Sequence, residues 1–296
     1  MNFNFPHITL NLANPDKSDL KFVVNKYPDG QRDIVITYNG GLENIKSIKL
    51  PVIIKSRFNS AEDLNLIKCA KACLKRLKVK EVHLYIPYLL GARADRKFVE
   101  GGCSYLVDVI APDLNSLGFE SITVIDVHSE VSPAAIPNIE NISVLPELTK
   151  LALEEVNSDD CVKSYVISPD AGASKRTFET AKNVPGYDIE IVECAKHRDL
   201  ATGKIISTVV PVNDFGGADE VVVDDICSKG GTFMGIASKL SEKNAGNIYL
   251  VVAHYEGTAD IEQLKASGIK KIFTTNSVVD LKEEKYQGFI HQIDVF

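Results

Sequence analysis

Short runs of aliphatic and β-branched residues alternate along most of the chain with segments in which apolar residues recur at helical spacing. Six runs are predicted to be strands: Val82–Ile86, Ile122–Val127, Ser164–Ile167, Glu220–Val223, Ile248–Ala253 and Lys271–Thr274. Helices are predicted between them, at Ala61–Leu77, Ser104–Leu117, Leu145–Val156, Ser174–Lys182, Thr232–Lys243 and Ile261–Ser267. This alternation is typical of an α/β fold in which helices connect the strands of a mainly parallel sheet.

The region before residue 60 follows a different pattern. Lys21–Asn25 and Asp33–Tyr38 alternate apolar and polar residues, and Tyr27-Pro28-Asp29-Gly30 between them is a turn signal. We therefore predict a β-hairpin, followed by a helix that begins after Ser60 as its N-cap. We also predict two strand-rich halves, residues 1–145 and 146–296, although no Pro-, Ser- or Gly-rich linker marks the boundary.

Polar residues cluster at the ends of three predicted strands. They form the segments Asp126-Val127-His128-Ser129, Ser168-Pro169-Asp170-Ala171-Gly172, and Asp224-Asp225 with Gly230-Gly231-Thr232. Because the C-terminal ends of parallel strands form the ligand crevice of such sheets, these segments predict one site for a polyanion and a metal ion.

The strongest local signal is the segment Val221–Phe233. An apolar strand leads into Asp224-Asp225, whose carboxylates can accept hydrogen bonds from ribose hydroxyls. Gly230-Gly231 lets backbone N–H groups approach a phosphate, Thr232 offers a hydroxyl, and the start of a helix adds positive potential. The alternative is an ordinary strand-to-helix turn that an aspartate caps.

Composition limits the partners. The 296 residues are 45% hydrophobic and 25% charged with a net charge of −7, which argues against a general binder of nucleic acid or membrane surfaces. No apolar run would span a bilayer and the N-terminus lacks the pattern of a signal peptide, so we expect a cytoplasmic protein without membrane or nucleic-acid partners. The six scattered cysteines are interpreted as reduced thiols. Cys69 and Cys73 lie one helical turn apart, where a zinc pair is conceivable, but no second Cys/His pair lies at suitable spacing.

The segment Val221–Phe233 resembles the phosphoribosyl-pyrophosphate loop of type I phosphoribosyltransferases and of ribose-phosphate pyrophosphokinases. Five further segments resemble the pyrophosphokinase family in the same order: Asp29-Gly30-Gln31, the run from Ile86 to Lys97, Val124 to His128, Ser168 to Gly172, and Lys196-His197-Arg198. The resemblance covers residues 25–280 and implies two Rossmann-like, type I phosphoribosyltransferase-like halves with mainly parallel sheets. Walker A and Gly-x-Gly-x-x-Gly sequences are absent.

The resemblance also implies an activity. Members of that family transfer the β,γ-diphosphoryl group of ATP to the anomeric hydroxyl of ribose 5-phosphate with Mg2+ and release AMP, and they form homodimers and hexamers. The N-terminal half would then contribute ATP contacts, and the C-terminal half would carry the ribose-phosphate loop. The implied residues are Lys196, Arg198 and His128 for catalysis; His128 and Asp170 for the metal; Asp29, Gln31, Arg93, Asp95 and Arg96 for ATP; and Asp224, Asp225, Ser228, Lys229, Gly230, Gly231 and Thr232 for the ribose phosphate.

Taken singly, these residues also have ordinary structural interpretations. His128 is explained equally by a structural hydrogen bond at a strand end, and Asp170 by a cap on the following helix. Lys196-His197-Arg198 is also typical of a solvated basic run, and Arg93 to Lys97 of a loop with internal salt bridges.

Some positions depart from the family. Ser228-Lys229 stands where the family commonly has Asp-Thr, which replaces a negative charge with a positive one beside the expected 5-phosphate. A second phosphate on the acceptor would explain the change, so ADP-ribose, in NAD salvage, is the alternative acceptor. Ala94 and Gln31 replace the family's usual glutamine and glutamate. A phosphoribosyltransferase and a non-catalytic regulatory homologue remain further alternatives.

Overall fold

The computed structural model describes residues 3–37, 49–156, 164–198 and 205–296, and at residues 197, 198, 205 and 206 it describes the backbone alone. The chain divides into two compact units. The first extends to Ile142 and includes Val295–Phe296, and the second is Ser143–Asp294. The boundary predicted after residue 145 lies close to this division.

The first unit contains a parallel sheet of five strands in the order β1-β4-β5-β6-β7, and a separate antiparallel hairpin, β2-β3. Its helices and strands are β1 (Ile8–Asn11), β2 (Lys21–Lys26), β3 (Arg32–Thr37), β4 (Val52–Lys55), α1 (Ala61–Arg76), β5 (Val82–Tyr85), α2 (Ala111–Ser116), β6 (Ile122–Ile125), α3 (Val131–Ala135) and β7 (Ile139–Ile142). A 3-10 turn at Pro15–Lys17 and a π-helical turn at Tyr105–Ile110 complete it.

Helix α1 shows how the sequence positions the hairpin. Ser60 caps the helix, since its side chain accepts a hydrogen bond from the Asp63 N–H, as predicted. Leu74 is buried, and the Cys73 thiol donates to the carbonyl of Ile34 in β3 at 3.4 Å. The hairpin therefore packs on α1, and this cysteine serves packing.

The second unit contains a six-stranded parallel sheet in the order β15-β14-β13-β12-β8-β9 and an antiparallel pair, β10-β11. Its helices and strands are α4 (Leu145–Val156), β8 (Ser164–Ser168), α5 (Ser174–Lys182), β9 (Ile189–Glu193), β10 (Ala195–Arg198), β11 (Ile205–Val209), β12 (Glu220–Cys227), α6 (Gly231–Ser241), β13 (Ile248–Tyr255), α7 (Ile261–Ala266), β14 (Ile269–Thr275) and β15 (Ile290–Ile293). A 3-10 turn at Glu284–Tyr286 precedes β15.

Strand β12 lies inside this sheet with parallel neighbours on both sides. Val222 pairs with Ile167 of β8 and with Leu250 of β13, and all three side chains are buried. A strand covered on both faces reads as a continuous apolar run, which is why the sequence reveals it so clearly. The α/β fold with two mainly parallel sheets is confirmed. No helix among the described residues combines the length and apolar character needed to cross a membrane.

Several predicted bounds need correction. β12 continues to Cys227, so Asp224 and Asp225 belong to the strand itself. β6 ends at Ile125 because Asp126 has a positive φ of 37°, which turns the chain out of the strand. The helix predicted at 104–117 begins as a π-helical turn and becomes α-helical only at α2.

The hairpin is confirmed over β2 and β3, and Tyr38, predicted as its last residue, lies outside the described residues. The six predicted strands did not include β1, β4, β7, β9, β10, β11 and β15. These strands are short, four or five residues each, and most of them lie at sheet edges or carry polar residues that interrupt the apolar run.

Glu220, the first residue of β12, is fully buried, and neither carboxylate oxygen has a hydrogen-bond partner among the described residues. Burial, and secondarily the charge of Asp219, raises the pKa of Glu220 from 4.5 to about 8. A carboxyl in such a site stays protonated near neutral pH, and ionising it costs stability.

Replacing Glu220 with glutamine should therefore raise the melting temperature most at high pH. The folded-state pKa lies above the unfolded one, so the stability that the proton provides is complete below pH 4.5 and is lost as pH rises to about 8. Thermal unfolding at pH 5, 6.5 and 8 measures this, with the exposed Glu179→Gln as the control. A gain for Glu220→Gln that is the same at all three pH values would contradict the assignment.

Candidate functional site

The centre of the candidate site in the second unit is a pair of carboxylates held by one guanidinium. Nη1 of Arg176, in the first turn of α5, lies 2.9 Å from Oδ1 of Asp224 and 3.1 Å from Oδ1 of Asp225. The side chains of Asp224 and Asp225 are 17% and 4% exposed, and that of Arg176 is 16% exposed. The Asp225 N–H also donates to Asp224 Oδ1 at 2.8 Å, which fixes the Asp224 side chain along its own strand.

Two carboxylates of like charge lie close together in a largely buried place at this point. Burial raises the pKa of Asp224 most, and the charge and side-chain hydrogen bond of Asp225 raise it further, while Arg176 lowers it. The result is a pKa of about 7, far above the usual 3.8. Near neutral pH the pair can therefore accept hydrogen bonds from hydroxyl groups, and it loses part of this capacity when it takes up a proton.

Arg176 was not among the residues predicted from the sequence. A weak signal for it exists, because Lys175 and Arg176 stand in the first turn of a helix, where the helix dipole disfavours cations. A cation in that position needs a nearby anion, and Asp224 and Asp225 provide it.

The turn between β12 and α6 forms a backbone cradle. Gly230 has φ of +76°, and a Cβ there would lie 2.7 Å from Cδ2 of Leu264, so conformation and packing both require glycine. α6 begins at Gly231 with no side chain capping it. This rules out the alternative of an aspartate cap, and it leaves the first N–H groups of an eleven-residue helix for an anion.

Ser228 and Lys229 precede this cradle. The Ser228 side chain is half-buried, and Lys229 is exposed to solvent. An exposed lysine beside a helix N-terminus adds local positive potential for an anion.

A second cluster joins three of the predicted residues. Nζ of Lys196, in β10, lies 2.7 Å from Oδ2 of Asp170 and 3.4 Å from Oγ1 of Thr232, and the lysine side chain is only 5% exposed. Asp170 follows β8, and Thr232 lies in the first turn of α6, so three separate segments contribute. The cluster links the carboxylate predicted to hold a metal with the hydroxyl predicted to bind a phosphate.

The charge of Asp170 is well stabilised. Burial acts to raise its pKa, but the hydrogen bond and charge of Lys196, with the backbone N–H groups of Ala173 and Gly172, outweigh burial and lower the pKa. Asp170 Oδ1 accepts from the Ala173 N–H at 3.1 Å just before α5. This bond closes the turn that precedes α5, whereas no described side chain caps the helix itself, so the ion pair with Lys196 is the main role of the Asp170 carboxylate.

His197 and Arg198 follow Lys196 in β10, and the pairing with β11 is irregular between them. The side chains of both residues lie outside the described part of the structure, so the predicted catalytic role of Arg198 stays a prediction.

In the first unit, the predicted ATP-binding segment meets the segment of His128. The hydroxyl of Ser129 donates to Asp95 Oδ2 at 2.5 Å, and the Asp95 side chain is 10% exposed. Nε of Arg96 lies 4.0 Å from Asp95 Oδ1. The positive φ of Asp126 turns the chain so that His128, which is exposed, follows the C-terminal end of β6.

The other predicted ATP contacts are exposed. Asp29 and Gln31 lie at the tip of the β2-β3 hairpin, where the Gln31 N–H donates to Asp29 Oδ1 at 3.0 Å. Arg93 is exposed in the segment that follows β5. The roles of these three residues in ATP binding stay predictions.

The chemistry of Asp170 fits a magnesium ion that is also bound by substrate phosphates and water. His128 belongs to the first unit and Asp170 to the second, and the described residues contain no group of three His, Cys, Asp or Glu side chains arranged to hold a metal. Mg2+ commonly binds one or two protein carboxylates together with substrate phosphates and water, so it needs no such group. Asp170, with its lowered pKa, is a suitable anionic ligand.

The sequence is similar to those of known proteins over most of its length. The ribose-phosphate pyrophosphokinase of Vibrio cholerae is 26% identical over 274 residues, 91% of this chain and 82% of that protein. The ribose-phosphate pyrophosphokinase of Sulfurisphaera tokodaii is 28% identical over 261 residues, 88% of this chain and 85% of that protein. No family model matches the chain.

One solved structure has the same fold over nearly the whole chain. The crystal structure of phosphoribosylpyrophosphate synthetase from Mycobacterium smegmatis matches with a TM-score of 0.78, at 17% sequence identity. The match covers 98% of this chain and 94% of that protein.

The raised pKa of Asp224 predicts pH-dependent binding of ribose 5-phosphate. Below pH 7 the Asp224 carboxyl takes up a proton and becomes a poorer acceptor, so the Kd should rise by up to about tenfold per pH unit. Calorimetric titration from pH 8 to 6 measures this.

The phosphate of the ligand titrates near pH 6 as well, so Asp224→Asn supplies the baseline. Equal pH slopes for the wild type and this variant would show that Asp224 does not titrate in the binding step.

Proposed function

Because this chain is a diverged member of the ribose-phosphate pyrophosphokinase family of transferases, we propose that it transfers the β,γ-diphosphoryl group of ATP to the anomeric hydroxyl of ribose 5-phosphate in a Mg2+-dependent reaction. AMP is the second product. The observation that carries the proposal is the convergence of Asp170, Lys196 and Thr232 beside the uncapped start of α6.

The acceptor binds at the C-terminal end of β12, in the second unit. The carboxylates of Asp224 and Asp225 accept hydrogen bonds from the ribose hydroxyls, and the N–H groups at the start of α6 bind the 5-phosphate. Thr232 adds a hydroxyl from the same turn. This arrangement fixes the sugar at both ends and so orients its anomeric hydroxyl for attack.

In the transfer, the anomeric oxygen forms a bond with the β-phosphorus of ATP. The bond from that phosphorus to the oxygen bridging the α-phosphate breaks, AMP leaves, and the proton of the anomeric hydroxyl passes to water. The ammonium of Lys196, together with Arg198, neutralises charge that develops on the transferred group. Asp170 would hold Mg2+, which would supply further neutralisation of the charge of the triphosphate.

The residues of the first unit are proposed for ATP. Arg93, Arg96 and the hairpin tip at Asp29 and Gln31 present polar groups that suit a nucleotide triphosphate, and Asp95 orients the segment through Ser129. His128 is proposed to approach the magnesium ion through water, since Mg2+ favours oxygen ligands.

ADP-ribose is the second candidate acceptor, and the exposed Lys229 favours it. The N–H groups of α6 suffice for a monophosphate, whereas a diphosphate on the 5-oxygen would give the additional lysine an anion to bind. The transfer chemistry would be unchanged, because ADP-ribose also has a free anomeric hydroxyl.

A single assay separates the candidate functions. The protein is incubated with Mg-ATP and either ribose 5-phosphate or ADP-ribose, and AMP is measured against a reaction without acceptor. AMP that depends on ribose 5-phosphate is expected. AMP with ADP-ribose alone would assign the other acceptor, and no acceptor-dependent AMP would leave a phosphoribosyltransferase or a regulatory homologue.

Lys196→Ala should lower kcat by about a hundredfold or more, because it removes a cation that acts on the transition state. The exposed Lys182→Ala, on α5 of the same unit, is the control and should leave kcat unchanged. Steady-state AMP formation measures both variants. A kcat within about threefold of the wild type for Lys196→Ala would remove Lys196 from the transfer step.

Lys229→Asp should raise the KM for ADP-ribose more than the KM for ribose 5-phosphate, since the introduced charge lies beside the second phosphate only. Lys270→Asp makes the same charge change near the start of β14, at the opposite edge of the sheet, and serves as the control. Equal changes in both KM values for Lys229→Asp would show that Lys229 does not select the acceptor.

A further inference from the structure

Arg176 contacts both acidic residues of β12, and a contribution to stability does not by itself explain this contact. A largely buried ion pair loses most of its Coulomb energy to desolvation, so it contributes little net stability. Here one guanidinium contacts two largely buried carboxylates. Two apolar residues and a neutral partner would suit the fold at least as well.

Arg176 is placed so that it can orient both carboxylates. Adjacent residues of a strand direct their side chains to opposite faces, yet Asp224 and Asp225 both reach the same nitrogen. Nη1 of an arginine carries two N–H donors, so each carboxylate can receive one of them. Each carboxylate also has several lone pairs, which leaves acceptor capacity on both for a ligand.

The position of Arg176 in the fold makes this contact possible. α5 follows β8, the parallel neighbour of β12, so the first turn of α5 lies at the edge where β12 ends. A guanidinium from that turn reaches the carboxylates from the side of β8, while the cradle of α6 follows β12 itself. Arg176 of α5 therefore contacts the carboxylates from one side, and the start of α6 lies on the other side of the same strand end.

We propose that Arg176 is a positioning residue for the acceptor, which orients the carboxylates of Asp224 and Asp225 so that both accept hydrogen bonds from the vicinal hydroxyls of a ribose phosphate. This inference rests on the proposed function, since it takes a ribose phosphate as the ligand. Arg176 acts through the two carboxylates, so its removal should affect ligands with two adjacent hydroxyls more than ligands with one.

The test compares two ligands that differ by one hydroxyl, ribose 5-phosphate and 2-deoxyribose 5-phosphate. Their Kd values are measured by calorimetry, without ATP, for the full-length wild type and for Arg176→Gln, Arg176→Lys and Lys175→Gln. The wild type should prefer ribose 5-phosphate by about 10- to 100-fold, which is the range for a lost hydrogen bond to a charged group. Lys175→Gln removes a neighbouring cation of the same helical turn and should keep this preference.

Arg176→Gln should reduce the preference to less than about threefold, chiefly by weakening ribose 5-phosphate. Because two unpaired buried carboxylates can unfold the protein, Arg176→Lys is the second variant, which keeps the charge and loses the planar group with its paired donors. It should remain folded by circular dichroism and thermal unfolding, with a preference well below that of the wild type.

Three results would overturn the inference, and they are distinguishable. An unchanged preference in the folded Arg176 variants would show that the ion pair is structural only, with the proposed function intact. Failure of the wild type to bind either sugar phosphate would contradict the proposed function itself. If Lys175→Gln lost the preference as much as the Arg176 variants do, the loss of any positive charge would explain the effect. That result would also exclude positioning by Arg176.

Discussion

The contact between the Arg176 guanidinium and the carboxylates of Asp224 and Asp225 is the constraint on which the candidate site depends. A buried parallel strand brings two acidic residues to the ligand edge of the sheet, where they would repel each other without a cation. The guanidinium keeps them together, and the pKa of Asp224 still remains near 7. The carboxylates are therefore held in place as acceptors for hydrogen bonds from the hydroxyl groups of a ligand.

The rest of the site compensates for this negative charge with groups that suit phosphates. Although the whole chain carries a net charge of −7, Lys196, Lys229 and the start of α6 provide local positive potential. Gly230 allows the backbone to close there, because a side chain would collide with Leu264. The carboxylates of Asp224 and Asp225 suit hydroxyl groups, and the positive groups near them suit an anion. Together they suit a sugar phosphate, which combines hydroxyl groups with an anion.

The sequence revealed those parts that depend on local pattern. The bounds of α4 and α5 agree with Leu145–Val156 and Ser174–Lys182, and the run into Asp224 identified β12 because both faces of that strand are buried. Arg176 was missed because its partner Asp224 lies 48 residues away in the chain, and only the pairing of β8 with β12 brings the two together. Edge strands such as β15 were missed because half-exposed, polar residues interrupt their apolar pattern.

The most direct test is the crystal structure of the protein with ribose 5-phosphate bound. We predict that the phosphate lies within hydrogen-bonding distance of the N–H groups of Gly231 and Thr232, and that the sugar hydroxyls donate to the carboxylates of Asp224 and Asp225. A phosphate bound elsewhere, or a sugar with its hydroxyls turned away from both carboxylates, would contradict it.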